Sequence, residues 1–349
     1  MDYTSSVLMH TLRAVRVDRD TMSETATIET IQPGGTLDYN DLTTLKVTGN
    51  LPYTDSLDIG NDFLRIWLDT EEMATGELES LALGTFLVST PTTTLSSSRA
   101  YGTADLYSVL QLLIGGTFRD FAAIPDGTRA VDYAAGIVRS AGLPVVAVAS
   151  SAALSVPMVI KPGTSRIEVV NDLLRIAGYD TAEVDGYGNV LLSPYSDPTG
   201  THPVAVLDTG LRSVLLPEAE HDMDDFDVPN VIVAVVDNDA VHMRAVAVND
   251  DPANRFSTAS KRMEITERVE VSDISSKKAL QDYADSVLQS KTTAVESIHV
   301  SHAFIPYNTG DTVRVALPQI DITGSVASRS LTLDKDMMVE SRVRRFVRY

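Results

Sequence analysis

The sequence predicts an α+β chain that is mainly β, and three observations carry that prediction. Alternating apolar runs fill most of residues 12–90. A capped helix followed by a tight hairpin occupies Thr164 to Pro198, inside a small α/β stretch. Strand patterns then resume from Thr201 to the end, interrupted by one amphipathic helix.

The first block contains LRAVRVD (Leu12 to Asp18), TATIETI (Thr25 to Ile31), a run starting at Leu45, DFLRIWLD (Asp62 to Asp69) and LGTFLVST (Leu83 to Thr90). Each alternates with the period of two that places apolar side chains on one sheet face. Gln32-Pro33-Gly34-Gly35-Thr36 is a turn, and Pro91 stops the last run. Short strands separated by such turn signals predict a small antiparallel barrel or sandwich. Its interior is expected from Val47, Leu64, Ile66, Phe86 and Val88.

Thr103 is then expected to cap a helix, ADLYSVLQLLI, with Leu106, Leu110 and Leu113 on one face. A second helix is expected over about Arg129 to Ala141, stopped by Gly142 and Pro144. Val145 to Ile160 is apolar and β-like, with a turn at Ser150-Ser151. Thr164 to Pro198 is the most sharply punctuated stretch. Ser165 and Glu168 have capping-box spacing. Ile167, Val170, Leu173, Leu174 and Ala177 form an apolar stripe, and Gly178 stands where a left-handed cap is wanted. Asp185-Gly186 and Gly188-Asn189 mark a turn between two short strands.

Strands are next expected at Pro203–Leu207 and Leu211–Leu216, then at VIVAVV (Val231 to Val236) with a hairpin partner at Val241–Val248. Arg262 to Val271 alternates, and a helix is expected from Ser275 to about Gln289. The remaining strands fall at Thr292–Phe304, after the Gly-Asp turn in PYNTGDTVRV (Pro306 to Val315), at Gly324–Thr332 and at Met337–Val347.

Composition excludes several function classes. The 349 residues include no cysteine, which removes disulfides, thiolate metal sites and cysteine nucleophiles together. The formal charge of −20 argues against gripping nucleic acid, because phosphate contacts need a cationic face. No apolar run approaches the roughly 18–20 residues of a membrane helix, and Met1 to His10 lacks the pattern of an export signal. No HExxH, GxSxG, Walker A or GxGxxG motif occurs, so no catalytic residue, cofactor or metal ligand is assigned.

Two clusters remain as candidates. Glu218, Glu220, Asp222, Asp224, Asp225 and Asp227 surround His221 in what is expected to be a solvated acidic loop. They lack the glycine and closing glutamate of an EF-hand. Arg342, Arg344, Arg345 and Arg348 crowd the terminal SRVRRFVRY, where Arg342, Arg344 and Arg348 would share one strand face. They serve either to protect an edge strand with charge or to contact an acidic neighbouring subunit. His299 and His302, three apart in a strand, point to opposite faces and are not a metal pair.

The order of these parts resembles the baseplate hub proteins of phage tails and contractile injection systems, and the N-terminal structural part of siphophage tail-associated proteins. Four stretches carry the resemblance: Ile31 to Asp69 with LGTFLVSTP (Leu83 to Pro91); Thr164 to Pro194; DVPNVIVAVVDNDA (Asp227 to Ala240); and Glu267 to Gln289, followed by Pro306 to Val315 and the arginine-rich last strand. Asp237-Asn238-Asp239 departs from the glycine usual after the third motif's strand.

The resemblance implies two small antiparallel β-barrel (tube-like) domains, residues 1–110 and 201–250 with 300–349. It implies α/β inserts at 111–200 and 251–299. It implies a homotrimeric ring at the virion tail tip, made in the host cytoplasm, adapting a sixfold tail tube to a threefold tip. The implied partners are the distal tail or tail tube protein, the tape measure protein and a tail spike or fibre, with DNA passing transiently through the lumen. It further implies that the insert projects from the ring with its hairpin tip, Asp185 to Asn189, free for a neighbour, so Asp185, Tyr187 and Asn189 join the terminal arginines as candidate contacts. The competing functions are a tail-associated cell-wall or polysaccharide hydrolase and a receptor- or carbohydrate-binding module. The first is expected to need an appended catalytic domain, for which a chain ending at Tyr349 is expected to leave no room, and the second has few aromatic residues to bind with.

Overall fold

The computed structural model describes residues 1–4, 7–55, 57, 59–89, 92–97, 99–195, 201–210, 212–224, 226–237, 242–271, 276–291 and 293–348. It is mainly β, with 47% strand and 14% helix. Two compact units divide it: Met1–Glu218 with Val300–Asp321 and Ser325–Arg342, and Ala219–His299 with Ile322–Gly324 and Val343–Tyr349.

The first unit opens with β1 (Leu8–Val17), β2 (Glu24–Thr27), β3 (Thr36–Asn40), β4 (Val47–Thr54), β5 (Phe63–Glu72), β6 (Glu77–Val88), β7 (Thr92–Leu95) and β8 (Ala100–Ser108). Their antiparallel pairings run β2-β1-β5-β6-β8-β4-β3, with β7 also on β8. Leu37, Leu51, Leu64, Ile66, Leu68, Phe86 and Leu106 are buried at 2% exposure or less, so the alternation seen in the sequence is the core.

One expectation fails here. Thr103 caps no helix: Ala100–Ser108 is strand, and helix α1 is confined to Gln111–Gly115. The leucines at 106, 110 and 113 mimic a helical stripe, but Ala104, Leu106 and Ser108 are the buried positions of a strand. Pairing with β4 over Thr48–Thr54 supplies the backbone hydrogen bonds that a local helix would otherwise make.

An α/β stretch follows in the same unit, where an insert is expected, with β9 (Ala122–Ile124), α2 (Ala130–Ser140), β10 (Val145–Ala147), β11 (Met158–Ile160), α3 (Arg166–Ile176), β12 (Glu183–Val184) and β13 (Val190–Leu192). Ser165 Oγ accepts from the Glu168 amide while the Glu168 carboxylate accepts from the Ser165 amide, completing the capping box. Gly178 closes the helix end at φ 73°, a conformation that costs glycine little. Ile167, Val170, Leu173 and Leu174 pack against α2 residues such as Ala134 and Val138. The same cluster includes Val15, Val17 and Phe63, so the insert's core is continuous with the first strands. Ser165→Ala is expected to lower stability by about 1 kcal/mol in urea titrations. A larger loss with hydrogen exchange unchanged at the start of α3 would refute the cap as the cause.

After the insert come β14 (Ala205–Asp208), β15 (Leu215–Asp224), β16 (Val231–Asp237), β17 (His242–Val248), α4 (Thr258–Lys261), β18 (Thr266–Glu270), α5 (Lys277–Lys291), β19 (Thr293–Ala303), β20 (Thr312–Leu317), β21 (Ile320–Thr332) and β22 (Met338–Arg348). In the first unit β14 runs parallel to β20, and β21 pairs antiparallel with β3 from Ser328 to Thr332.

The second unit centres on the β16–β17 hairpin, with β18 parallel to β16 on its other edge. Ile232, Ala234, Val236, Ala245 and Ala247 pack with Leu280 and Ala284 of α5. Asn230 is fully buried and satisfied: Nδ2 donates to the Phe256 and Met263 carbonyls at 3.2 and 2.8 Å, and Oδ1 accepts from the Ile265 amide at 2.7 Å. It thereby fixes the long connection that a parallel pair requires. The departing turn residues Asn238 and Asp239 lie outside the described residues. Among the described residues no helix is long and apolar enough to cross a membrane.

Candidate partner-contact surface

Position in β22 decides what the terminal arginines can do. Val343 is fully buried, and Arg342, Arg344 and Arg345 are partly exposed around it. Arg345 Nε donates to Glu296 Oε2 at 2.5 Å. Glu296 belongs to β19, the strand next to β22, and is 5% exposed. Its other oxygen, Oε1, lies 2.9 Å from His221 Nε2 of β15, on the far side of β19. Burial pushes the Glu296 carboxyl up, but the bonds and charges of Arg345 and then His221 outweigh it and hold the carboxyl below its usual value. The acidic neighbour of Arg345 is therefore in its own chain. Arg342 and Arg344 also interact within the structure, and the Arg348 side chain lies outside what is described.

Glu296 was not legible in the sequence. Its burial, like that of the next two residues, Ser297 and Ile298, is set by the strands on either side of β19 and leaves no local pattern.

The acidic cluster is not a loop over most of its length. Glu218, Glu220 and Asp222 lie on strand β15, where every residue from Leu216 to Asp222 is exposed, and Asp224 ends that strand. A charge run without apolar alternation gives no strand signal by itself. Here the neighbouring strand β19 supplies the pairing. Asp227 is exposed beyond the strand, and Asp225 falls outside the described residues. Among the described residues no three potential metal-ligating side chains come together. His299 is exposed and His302 fully buried.

The hairpin tip is built as its sequence implies but is not free. Asp185 Oδ1 accepts from the amides of Tyr187 and Asn189 at 2.9 and 2.8 Å, and Asn189 Nδ2 donates to Asp185 Oδ2 at 2.8 Å. These three candidate contact residues thus spend part of their polar capacity shaping the turn. The tip then docks on β5 and β6. Arg65, 5% exposed, donates from Nη2 to the Tyr187 carbonyl at 2.9 Å, from Nε to Thr85 Oγ1 at 2.9 Å and from Nη1 to Glu24 Oε1 at 3.0 Å. Thr85 Oγ1 donates to the Gly186 carbonyl at 2.9 Å. The Arg65 guanidinium lies 5.4 Å from the Tyr187 ring centre, and Trp67 meets that ring edge-on at 5.7 Å. The expectation of a free tip is corrected. A guanidinium inside an apolar strand must find acceptors, and the tip's carbonyls are among those it finds.

A second buried polar group lies in the first unit. His302 Nδ1 donates to the Ala303 carbonyl at 2.7 Å, leaving Nε2 to accept from Tyr307 at 2.6 Å and to meet Ser341 at 3.0 Å. Burial lowers the imidazole pKa to about 4. The three side chains bring an imidazole and two hydroxyls together, all of them buried.

No protein-family model matches the chain. No curated protein matches it in sequence. Solved structures do share its fold. It is similar to a tail protein from Neisseria meningitidis MC58, at TM-score 0.68 and 14% identity over 96% of both chains. It is similar to the 43 kDa tail protein of prophage MuSo2 from Shewanella oneidensis, at 0.65 and 12% over 97% of this chain and 98% of that one. It is similar to a prophage tail protein from Listeria monocytogenes EGD-e, at 0.53 and 10% over 95% and 94%. The chain has the fold of phage tail proteins, end to end.

Proposed function

We propose that the chain is a structural baseplate hub protein of a phage or phage-like tail. The observation that carries this reading is the fold likeness to tail proteins over nearly the full length of both chains. In this proposal residues 1–110 and 201–250 with 300–349 act as two tube-like blocks, and 111–200 and 251–299 as their inserts. Three subunits close a ring in this reading; the number follows the resemblance to hub proteins, and closure agrees with the usual closed symmetry of repeated interfaces. The ring joins a sixfold distal tail or tube ring to a threefold spike or fibre, receives the tape measure protein and leaves a channel for DNA.

The charge of −20 supports that channel, because a carboxylate-lined wall offers DNA no phosphate contacts. Glu218, Glu220 and Asp222, alternating and exposed on β15, are candidates for such a wall. Arg342, Arg344 and Arg348 of β22 are candidates for contacts between subunits, whereas Arg345 is engaged by Glu296. The chain acts without catalysis in this reading.

Native mass spectrometry of the purified chain, alone and with its distal-tail partner, tests the proposal. The expected species are trimers or a complex of three with six. A monomer that ignores the partner at micromolar concentration would overturn it.

A further inference from the structure

Arg329, on β21 in the first unit, is 6% exposed and is short of hydrogen-bond acceptors. The only hydrogen bond of its guanidinium among the described residues is a long one, Nη2 to the Ile305 carbonyl at 3.4 Å. Nε is buried with no partner, and no described carboxylate lies within ion-pair distance. Three aromatic rings enclose the guanidinium instead: Tyr307 at 4.9 Å, Tyr39 at 5.4 Å and Phe304 at 5.6 Å. Ring faces attract a cation but accept no directed N–H bonds comparable to those of an oxygen. Burial lowers the basicity of Arg329, and the opposing pull of Tyr39, Tyr307 and the Asp311 carboxylate, which is beyond ion-pair distance, does not offset it.

Arg329 lines a cleft of about 360 Å³ in the first unit. At about 30 Å³ per water, that space is far larger than a single solvent molecule needs. The cleft's other polar groups are mostly committed. Tyr39 donates to the Leu83 carbonyl at 2.8 Å, and Lys46 donates to the Asp41 carbonyl and carboxylate at 2.7 and 2.9 Å. Tyr307 is held by His302 and Ser341. Glu183 also lines the cleft, its carboxyl raised by burial, and the cation acting on it is Lys46. The donor capacity left over is concentrated on Arg329.

We propose that this cleft binds a carboxylate, held by the guanidinium of Arg329 between the rings of Tyr39, Phe304 and Tyr307. A carboxylate matches the planar fork of a guanidinium and supplies the missing acceptors and the missing negative charge in one group. It arrives either on a small free acid or on an acidic side chain of a partner protein. The chemistry is the same for both and does not depend on tail assembly.

The test uses the purified full chain at constant pH and ionic strength. The Arg329 Nε–H resonance is followed by NMR while acetate, or glutamate blocked at both its amino and α-carboxyl ends, replaces chloride. A saturable shift is expected with at least one of the two. Blocked glutamate binding at least about tenfold tighter than acetate assigns the site to a protein side chain; acetate binding as well or better assigns it to a small free acid. Carboxylate binding, read independently as a rise in melting temperature, is expected to vanish in Arg329→Met. It is expected to weaken about tenfold or more in Arg329→Lys, which keeps the charge and loses the fork. If Arg329→Met does not fold, the lysine variant decides. A wild-type response no larger than that to chloride, or one that survives intact in the lysine variant, would overturn the proposal.

Discussion

Replacing Gly186 by alanine is expected to lower the stability of the chain by about 3 kcal/mol and to unseat the hairpin tip. A Cβ at that position would lie 2.0 Å from the Ala82 carbonyl oxygen, a backbone atom that cannot swing aside. The tip must therefore lift off β6, giving up the bonds that Thr85 and Arg65 make to the carbonyls of Gly186 and Tyr187. A charge-assisted bond contributes about 1.5–3 kcal/mol, a neutral one about 1, and the Arg65–Tyr187 ring contact up to about 1 more. Arg65→Met should give a loss of similar size by the opposite route, leaving the tip's shape intact and removing its anchor. Chemical denaturation gives the magnitude. Hydrogen exchange over residues 183–191 gives the place: both variants should exchange faster there, with α3 protected as before. Wild-type stability in both variants would show that the docking contributes nothing.

Acidification is expected to destabilise the first unit through His302 before most carboxylates titrate. The folded imidazole has a pKa of about 4, against an ordinary value of 6.5. As pH falls below about 6.5 the unfolded chain takes up a proton that the folded chain refuses until about pH 4. The stabilisation is complete above pH 6.5 and is lost on descent through that window, about 3 kcal/mol in all. Burial lowers the His10 pKa too, which adds a loss of the same sign. In the second unit Glu296, held below its usual value, gives a separate loss at lower pH, where the unfolded carboxylate protonates first. His302→Asn should be less stable at pH 7 and show a flatter slope between pH 6.5 and 4. A slope identical to wild type would mean that His302 is not the group responsible.

What could be read from the sequence was local. The capping box of Ser165 and Glu168, the left-handed Gly178 and the VIVAVV hairpin strand are each determined within a few residues, and each stands as expected. The strand at Ala100–Ser108 could not be read that way, because pairing with β4, about fifty residues upstream, overrides the leucine spacing. The strand character of Glu218 to Asp224 depends on β19, more than seventy residues downstream. The same holds for the contact residues. The arginines of β22 were conspicuous as a cluster, whereas Glu296, the partner of Arg345, was one carboxylate among forty-eight acidic residues. Arg65 did leave a trace, as a cation between Leu64 and Ile66 in a strand otherwise built for a core. That trace tells of a buried demand for acceptors, and a pattern cannot name which ones meet it.

The docked tip has a mechanical consequence. A hairpin joined to its helix at one end and left loose at the other would bend under load. This one is fastened at both, by the shared core under α3 and by Arg65 and Thr85 at the far end. A pull on the insert is therefore resisted in shear by β5 and β6 rather than absorbed by the turn. Force–extension measurements with handles on the insert should show one stiff rupture in the wild type and a softer, two-step yield in Gly186→Ala.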